Sequence, residues 1–150
     1  MKLKLIKWGS LLTLYNGIYA IIMGFFMILF SKFLIKKYFE PFPEIWDILV
    51  KKWISDISQY YLILIYTGFL LVAFGIFIIY LSLFVMKKKD NLAWFVLFFA
   101  GLIGWASIFI VNILAKNLIM VILGFIGWAS FIVGMLIPIK YYIQKGYPRF

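Results

Sequence analysis

Long stretches without charge, separated by short charged segments, dominate the pattern of the chain. The uncharged stretches are residues 8–31, 57–86, 91–115 and 117–139. Each exceeds the roughly 20 residues that a helix needs to cross the hydrocarbon core of a bilayer. Because lipid offers the backbone no hydrogen-bond partners, a stretch of this kind folds as a helix. The pattern predicts four transmembrane helices, near residues 8–30, 61–85, 92–114 and 118–139.

The connections between the later spans are short. Residues 86–91 join the second and third helices, and residues 115–117 join the third and fourth. Short connections make consecutive helices antiparallel neighbours. Asp90 or Asn91 is expected to cap the third helix, because a side-chain oxygen there can accept a bond from a free N–H of the first turn. The predicted fold is an all-α integral membrane protein, an antiparallel bundle of four transmembrane helices.

One long connection, residues 31–59, follows the first span. Its polar residues recur at helical spacing at Glu44, Asp47, Lys51, Ser55 and Ser58. Apolar side chains, among them Trp46, Trp53 and Ile54, cover the rest of the surface. The pattern predicts an amphipathic interfacial helix near residues 43–58, between spans 1 and 2. Either this helix lies flat in the head-group layer with its tryptophans buried, or it covers a cavity or docks a partner.

The composition strengthens the membrane interpretation and removes several kinds of chemistry. Hydrophobic residues make up 67% of the chain, against roughly 45–50% in soluble globular proteins. The absence of cysteine and histidine excludes disulfides, thiol chemistry, zinc held by these residues and Ser-His-Asp hydrolysis, and we expect no cofactor. The net charge of +10 comes from lysines between the apolar stretches, so we expect membrane lipids rather than nucleic acid as partners.

Basic residues outside the predicted spans are unevenly distributed between the two sides of the membrane. Nine lie on the side that carries both termini, and six lie on the other side. Membrane proteins concentrate lysine and arginine on the cytoplasmic side. The count therefore predicts a protein of the cell membrane with both termini in the cytoplasm and anionic lipid head groups at its basic face.

The strongest pattern is an internal repeat. The sequence Ile-Gly-Trp-Ala-Ser occurs at residues 103–107 and again, 23 positions later, at residues 126–130. In each copy two glycines and a serine step by three and share one helix face, and small residues let helices approach closely in lipid. We expect the two faces to pack on each other; they consist of Gly101, Gly104 and Ser107, and of Gly124, Gly127 and Ser130.

A fainter repeat relates the first two spans at an offset of 51 residues. Gly17 and Gly24 correspond to Gly68 and Gly75, and the members of each pair, seven residues apart, lie on one helix face. Inverted repeats occur in transporters, where the substrate binds at the repeat interface. Glycine-rich helices also resemble each other through packing needs alone, so both interpretations stay open.

Polar groups are scarce inside the predicted spans. No Asp, Glu, Lys or Arg lies well inside one, which disfavours proton-coupled transport because it needs a titratable group in the membrane. The remaining polar and indole groups give a candidate site for an apolar ligand, formed by Trp105, Asn112, Trp128, Asn16 and Tyr15. The alternative is that these groups bond between helices and bind no ligand.

Three functions are compatible with the sequence. The first is a non-enzymatic structural or accessory subunit, or a scaffold, that forms a homo-oligomer or a larger membrane complex through helix–helix contacts. The second is a binder or carrier of a lipid or other small apolar molecule, in a cavity covered by the interfacial helix. The third is a lipid-modifying enzyme that uses the carboxylates of Glu40, Glu44, Asp47 and Asp56. No phosphate-binding loop or nucleophile elbow occurs, so the sequence favours the first function.

Overall fold

The computed structural model describes residues 2–39, 44, 47, 54–88, 90–114, 118–140 and 142. Five helices can be delimited in this part of the chain. They are α1 (Lys2–Leu29), α2 (Ser31–Phe39), α3 (Ile54–Lys88), α4 (Asn91–Leu114) and α5 (Leu118–Leu136). The described chain is therefore all-helical, as the spacing of apolar residues predicts.

Four of these helices are long and apolar enough to span a membrane, which confirms the expectation of four apolar helices. The spans are Lys4–Leu29 in α1, Tyr60–Phe84 in α3, Asn91–Ile113 in α4 and Leu118–Leu136 in α5. Between 22% and 39% of the residues in each span's most apolar window are buried inside the protein. Most of the apolar surface is left outward, which lipid tolerates and water does not.

The predicted interfacial helix near residues 43–58 is only partly described. Glu44 and Asp47 are helical and exposed. Trp46 and Trp53, which were expected to face the head-group layer, lie outside the described residues. The amphipathic character of this segment therefore stays a prediction.

The helix that contains the second span is longer than the apolar span Tyr60–Phe84 itself. α3 begins at Ile54 and continues to Lys88 without a break, so no helix end falls at residues 59–60. The sequence around this position, Ser-Gln-Tyr-Tyr, contains neither glycine nor proline, and nothing in it stops a helix. A change from polar to apolar residues marks a change of environment along a helix, which is not the same as a helix terminus.

α2 follows α1 after a single turn residue, Phe30, and was not predicted. The Phe30 N–H donates to the Phe26 carbonyl oxygen at 2.9 Å, and the Leu34 N–H donates to the Phe30 carbonyl oxygen at 2.9 Å. Helical bonding therefore continues through the turn. Leu34 and Ile35 are buried while Lys32 is exposed, so α2 has one buried face and one basic face.

Contacts group the chain into two compact units. Unit 1 comprises Met1–Ala20 and Phe74–Phe150, and unit 2 comprises Ile21–Ala73. Within unit 1, α4 and α5 pack on each other. Asp90 caps α4 as predicted, because its Oδ1 accepts the Ala93 N–H at 3.2 Å.

Candidate functional site

A buried asparagine of α1 is the centre of the polar contacts in unit 1. Asn16 is 2% exposed. Its Nδ2 donates to the Gly127 carbonyl oxygen at 2.7 Å and to the Ser130 Oγ at 2.9 Å. Its Oδ1 accepts the Trp105 Nε1–H at 2.8 Å. These four residues, called here the Asn16 cluster, join α1, α4 and α5 and use both amide hydrogens and the amide oxygen.

The Trp105 ring occupies the space that Gly127 leaves free. Trp105 is fully buried, and a Cβ at Gly127 would overlap its ring. Tyr19 stacks on the indole with ring centroids 5.9 Å apart, and Phe74 meets it edge-on at 6.2 Å. The Tyr19 hydroxyl in turn donates to the Leu123 carbonyl oxygen at 2.9 Å. Ring packing and the bond to Asn16 together hold the indole in one orientation.

Glycines bring α1 and α5 close together in unit 1. A Cβ at Gly9 would lie 2.7 Å from the Gly134 carbonyl oxygen and 2.7 Å from the Cδ of Pro138. A Cβ at Gly134 would lie 3.0 Å from the Thr13 Cγ2. Neither position leaves room for a side chain unless its neighbours move. The partners on α5 have falling residue numbers as α1 proceeds, from Gly134 opposite Gly9 to Gly127 opposite Asn16.

A second buried polar group in unit 1 consists of Ser10, Thr13 and Ser82. The side-chain oxygens of Thr13 and Ser82 lie 2.8 Å apart and share a hydrogen bond. The Ser82 Oγ also donates to the Ser10 carbonyl oxygen at 2.7 Å. The sequence pattern alone did not predict this group, although a signal was present. Ser10 precedes Gly17 by seven residues and Ser82 follows Gly75 by seven, so both serines extend the glycine faces.

Gly17 and Gly75 allow α1 and α3 to approach each other within unit 1. A Cβ at Gly17 would lie 2.9 Å from the Gly75 carbonyl oxygen. It would also lie 2.7 Å from the Ile79 Cγ1 and 3.1 Å from the Ile79 backbone nitrogen. Because two of these neighbours are backbone atoms, a methyl group here requires the helices to separate.

Gly24 and Gly68 make a contact of the same kind within unit 2. A Cβ at Gly68 would lie 2.8 Å from the Gly24 carbonyl oxygen and 2.7 Å from the Ile28 Cγ1. A Cβ at Gly24 would lie 2.6 Å from the Gly68 carbonyl oxygen and 2.8 Å from the Val72 Cγ2. Gly68 and Gly17 therefore have equivalent neighbours, an isoleucine Cγ1 and a glycine carbonyl oxygen, at nearly the same distances. The neighbours of Gly68 lie 51 positions before the corresponding neighbours of Gly17 in the sequence.

The two copies of the repeated sequence have different neighbours. A Cβ at Gly101 would overlap the ring of Phe131, whereas a Cβ at Gly124 would lie 3.6 Å from its nearest neighbour, the backbone of Phe109. Gly104 faces α3 rather than α5. The face-to-face packing of the two small-residue stripes stays a prediction. At several of these glycines an aromatic ring of a neighbouring helix, rather than a second glycine, packs against the backbone.

The two tryptophans of the repeat also differ. Trp105 bonds to Asn16, so neither group is free to bind a ligand. Trp128 is partly exposed and lies parallel to the Phe109 ring with centroids 6.2 Å apart. Its Nε1–H has no hydrogen-bond partner within the described part of the chain. The two indoles have different ring neighbours, Tyr19 and Phe74 for Trp105 and Phe109 and Phe125 for Trp128.

Three further residues were candidates for the ligand site or the packing face. Their side chains make other contacts or are exposed. The Asn112 Nδ2 donates to the Ile108 carbonyl oxygen of its own helix at 2.7 Å. The exposed Ser107 likewise donates to the Ile103 carbonyl oxygen at 2.7 Å. Tyr15 is 58% exposed. These three polar groups are not part of the Asn16 cluster.

The acidic side chains that the structure describes do not form a recognisable centre. Among the described residues, no group of three or more His, Cys, Asp or Glu could hold a metal ion. Glu44 and Asp47 are exposed, whereas Glu40 and the side chain of Asp56 lie outside the described part of the chain.

No known protein family, no curated protein and no solved structure matches this chain. Its class rests on the four apolar helices, which are compatible with a multi-pass membrane protein. Any more specific function has to be argued from the contacts between these helices.

Proposed function

We propose that this protein is a non-enzymatic structural or accessory subunit of the membrane that works through helix–helix contacts. The observation that carries the proposal is the Asn16 cluster, in which every polar group of the carboxamide is used inside the protein. A catalytic or ligand-binding centre keeps polar groups available for its substrate. The buried polar groups of the Asn16 cluster serve cohesion instead.

The proposal includes an antiparallel bundle of four transmembrane helices. It is supported by the order of contacts in unit 1, where partner numbers on α5 fall as those on α1 rise. It is further supported by the glycine contacts, because small residues let membrane helices pack closely without a hydrophobic driving force. The matching geometry of Gly17 and Gly68 supports an internal duplication of the first two spans.

The experiment that tests the scaffold function is native mass spectrometry after gentle extraction into lipid nanodiscs. A homo-oligomer or a larger complex is the expected result. A strictly monomeric, partner-free particle would contradict the proposal. An oligomer that persists together with a stoichiometric small apolar molecule would instead support the carrier function.

A pair of tryptophan substitutions on exposed helix faces makes this test sharper. Ile22 on α1 is 62% exposed and Ile103 on α4 is 63% exposed, so the two are matched in accessibility. A bulky side chain is tolerated where a face meets lipid and disrupts assembly where the face meets a protein. We expect one of Ile22→Trp and Ile103→Trp to reduce the complex while the other leaves it intact.

The proposed location is the cell membrane, with both termini in the cytoplasm. The chain has no native cysteine, so single cysteines can report topology directly. Ser55→Cys and Lys88→Cys are expected to react with an impermeant maleimide from opposite sides of the membrane. Reaction from the same side would overturn the proposed topology.

A further inference from the structure

The exposed face of α2 carries lysines next to a phenylalanine. Lys32, Phe33 and Lys36 are exposed, whereas Leu34 and Ile35 are buried inside the protein. The two buried side chains hold α2 in one orientation about its own axis, because turning the helix would expose them. The lysine-bearing face is therefore presented to the surroundings as a fixed surface.

The position of α2 in the chain puts this face at the edge of the hydrocarbon. The span in α1 ends at Leu29, and α2 begins two residues later, at Ser31. At a rise of about 1.5 Å per residue, Lys32 follows the last residue of the span by roughly 4–5 Å. The polar layer on each side of a bilayer is roughly 5–7 Å thick. Lys32 thus lies at the depth of the lipid head groups.

One stripe joins the end of α1 to the exposed face of α2. Its members are Leu29, Lys32, Phe33 and Lys36, all of them exposed. Their spacing, i, i+3, i+4 and i+7, places them on one side of a helix. This spacing applies across the junction of α1 and α2 because helical hydrogen bonding continues through Phe30. The stripe therefore combines two apolar side chains with two ammonium groups, the combination that complements an amphiphile with a negative head group.

The charge of this region is positive without an acidic counterpart. Residues 1–39 contain no acidic residue, and the first one in the sequence is Glu40. Lys32 and Lys36 are four residues apart on α2, a spacing at which like charges repel each other. An anion between the two ammonium groups removes this repulsion. Phosphate is the anion that a membrane supplies at this depth.

We propose that this stripe is a binding site for one anionic phospholipid. The phosphate lies between the ammonium groups of Lys32 and Lys36, and an acyl chain runs along Phe33 and Leu29 into the hydrocarbon. The site lies at the end of the first span that is farther from the N-terminus, whereas the basic face predicted from the sequence lies on the side of the termini. The site does not depend on the scaffold function, since a monomeric protein would contradict the scaffold and leave the stripe unaffected.

Native mass spectrometry of the full chain in detergent measures lipid binding, with dioleoyl phosphatidylglycerol and dioleoyl phosphatidylcholine as probes. The two lipids have the same acyl chains, but the ammonium group of phosphatidylcholine neutralises its phosphate. We expect phosphatidylglycerol to bind at least about fivefold more tightly, since each lysine near an anionic head group contributes about that factor. K32Q/K36Q should reduce this preference by at least about fivefold. Equal affinity of the native protein for the two lipids would overturn the proposal.

Matched charge controls distinguish a site from diffuse attraction. K87Q/K88Q removes two lysines elsewhere in the sequence and should keep the preference for phosphatidylglycerol. K32R/K36R keeps both positive charges on α2, and because a guanidinium also binds phosphate it should behave like the native protein. An equal loss in the two glutamine variants would show that net charge alone attracts the lipid, and would overturn the proposal.

A phenylalanine substitution tests the place of the acyl chain without changing charge. Phe33 on α2 is 56% exposed and Phe99 on α4 is 55% exposed, so the two are matched in accessibility. Only Phe33→Ala should weaken phosphatidylglycerol binding, by about threefold, because several dispersion contacts with the acyl chain are lost. Equal effects of Phe33→Ala and Phe99→Ala, or full displacement of the lipid by glycerol 3-phosphate, would overturn the proposal.

Discussion

The two copies of Ile-Gly-Trp-Ala-Ser are identical in sequence and unequal in structure. In the first copy Trp105 is fully buried and donates to Asn16. In the second copy Trp128 is partly exposed, lies parallel to the Phe109 ring and has an unpartnered Nε1–H among the described residues. The difference comes from a third helix. Asn16 of α1 accepts the Trp105 Nε1–H, and no acceptor among the described residues meets the second indole.

The serines of the two copies follow the same division. Ser130 accepts a bond from Asn16 and itself donates to the Gly127 carbonyl oxygen at 3.0 Å. Ser107 is exposed and bonds only within its own helix. The first copy therefore supplies the tryptophan of the Asn16 cluster, and the second copy supplies its glycine and serine. Two identical sequences therefore contribute different groups to the same cluster.

The largest expected difference in unfolding free energy is between Trp105→Ala and Trp128→Ala. Truncation of a fully buried indole costs about 3–5 kcal/mol of unfolding free energy in well-packed cores. Trp128→Ala should cost about 0.5–1.5 kcal/mol, the usual contribution of an aromatic pair. Reversible unfolding in detergent or by steric trapping in bicelles measures both. Equal losses of stability would contradict the different burial and bonding described for the two indoles.

The next largest difference in unfolding free energy is expected between Gly101→Ala and Gly124→Ala. Each glycine lies two residues before its copy of the repeated sequence. A methyl at Gly101 overlaps the Phe131 ring, and overpacking of this kind costs about 1–3 kcal/mol. A methyl at Gly124 meets its nearest atom at 3.6 Å, an ordinary contact. Gly124→Ala should therefore be neutral or stabilise by up to about 1 kcal/mol, through helix propensity.

Unfolding curves of these two alanine variants, recorded under identical detergent conditions, provide the measurement. Destabilisation by Gly124→Ala comparable to that by Gly101→Ala would contradict the contacts described for the second copy.

The four apolar helices could be predicted from the sequence because a bilayer imposes simple rules. An uncharged stretch longer than about 20 residues has to be helical, and charge marks its ends. The cap at Asp90 follows from local chemistry in the same way. α2 escaped prediction because its nine residues make only about two and a half turns, too short for the pattern to stand out.

The Asn16 cluster could not be predicted in the same way. The sequence predicts that Asn16 and Trp105 belong to one site, but it also predicts Asn112, Trp128 and Tyr15 in that site. Spacing within a helix tells which residues share a face, whereas the pairing of faces depends on tertiary packing. The smallest residues gave the better signal, because a glycine or serine every seven positions marks a line of close approach.

A smaller difference in unfolding free energy is expected when only the indole N–H groups are removed. Trp105→Phe keeps most of the ring but leaves the Asn16 Oδ1 without its donor, which should cost about 1–2 kcal/mol in a membrane protein. Trp128→Phe should cost less than about 0.5 kcal/mol, since its Nε1–H has no partner within the described residues. Both are measured by the same unfolding assay.

A double-mutant cycle with Asn16→Leu checks the origin of the effect. The cost of Trp105→Phe should fall in the Asn16→Leu background, because the acceptor is already gone. The cost of Trp128→Phe should be the same in both backgrounds. An additive result for Trp105→Phe would show that the bond contributes nothing to stability.

The smallest expected difference is between the two serines. Ser130→Ala removes one of two acceptors from the Asn16 Nδ2 and should cost about 0.6 kcal/mol, the average for an interhelical hydrogen bond in a membrane protein. Ser107→Ala removes a bond within one turn of an exposed helix face and should change stability very little. The Gly127 carbonyl oxygen still accepts from Asn16 in the Ser130 variant, so the Trp105 indole should keep its position. Indole fluorescence in a Trp128→Phe background, which removes one competing signal, should report an unchanged emission maximum, and a red shift would show that Ser130 is needed to hold the cluster closed.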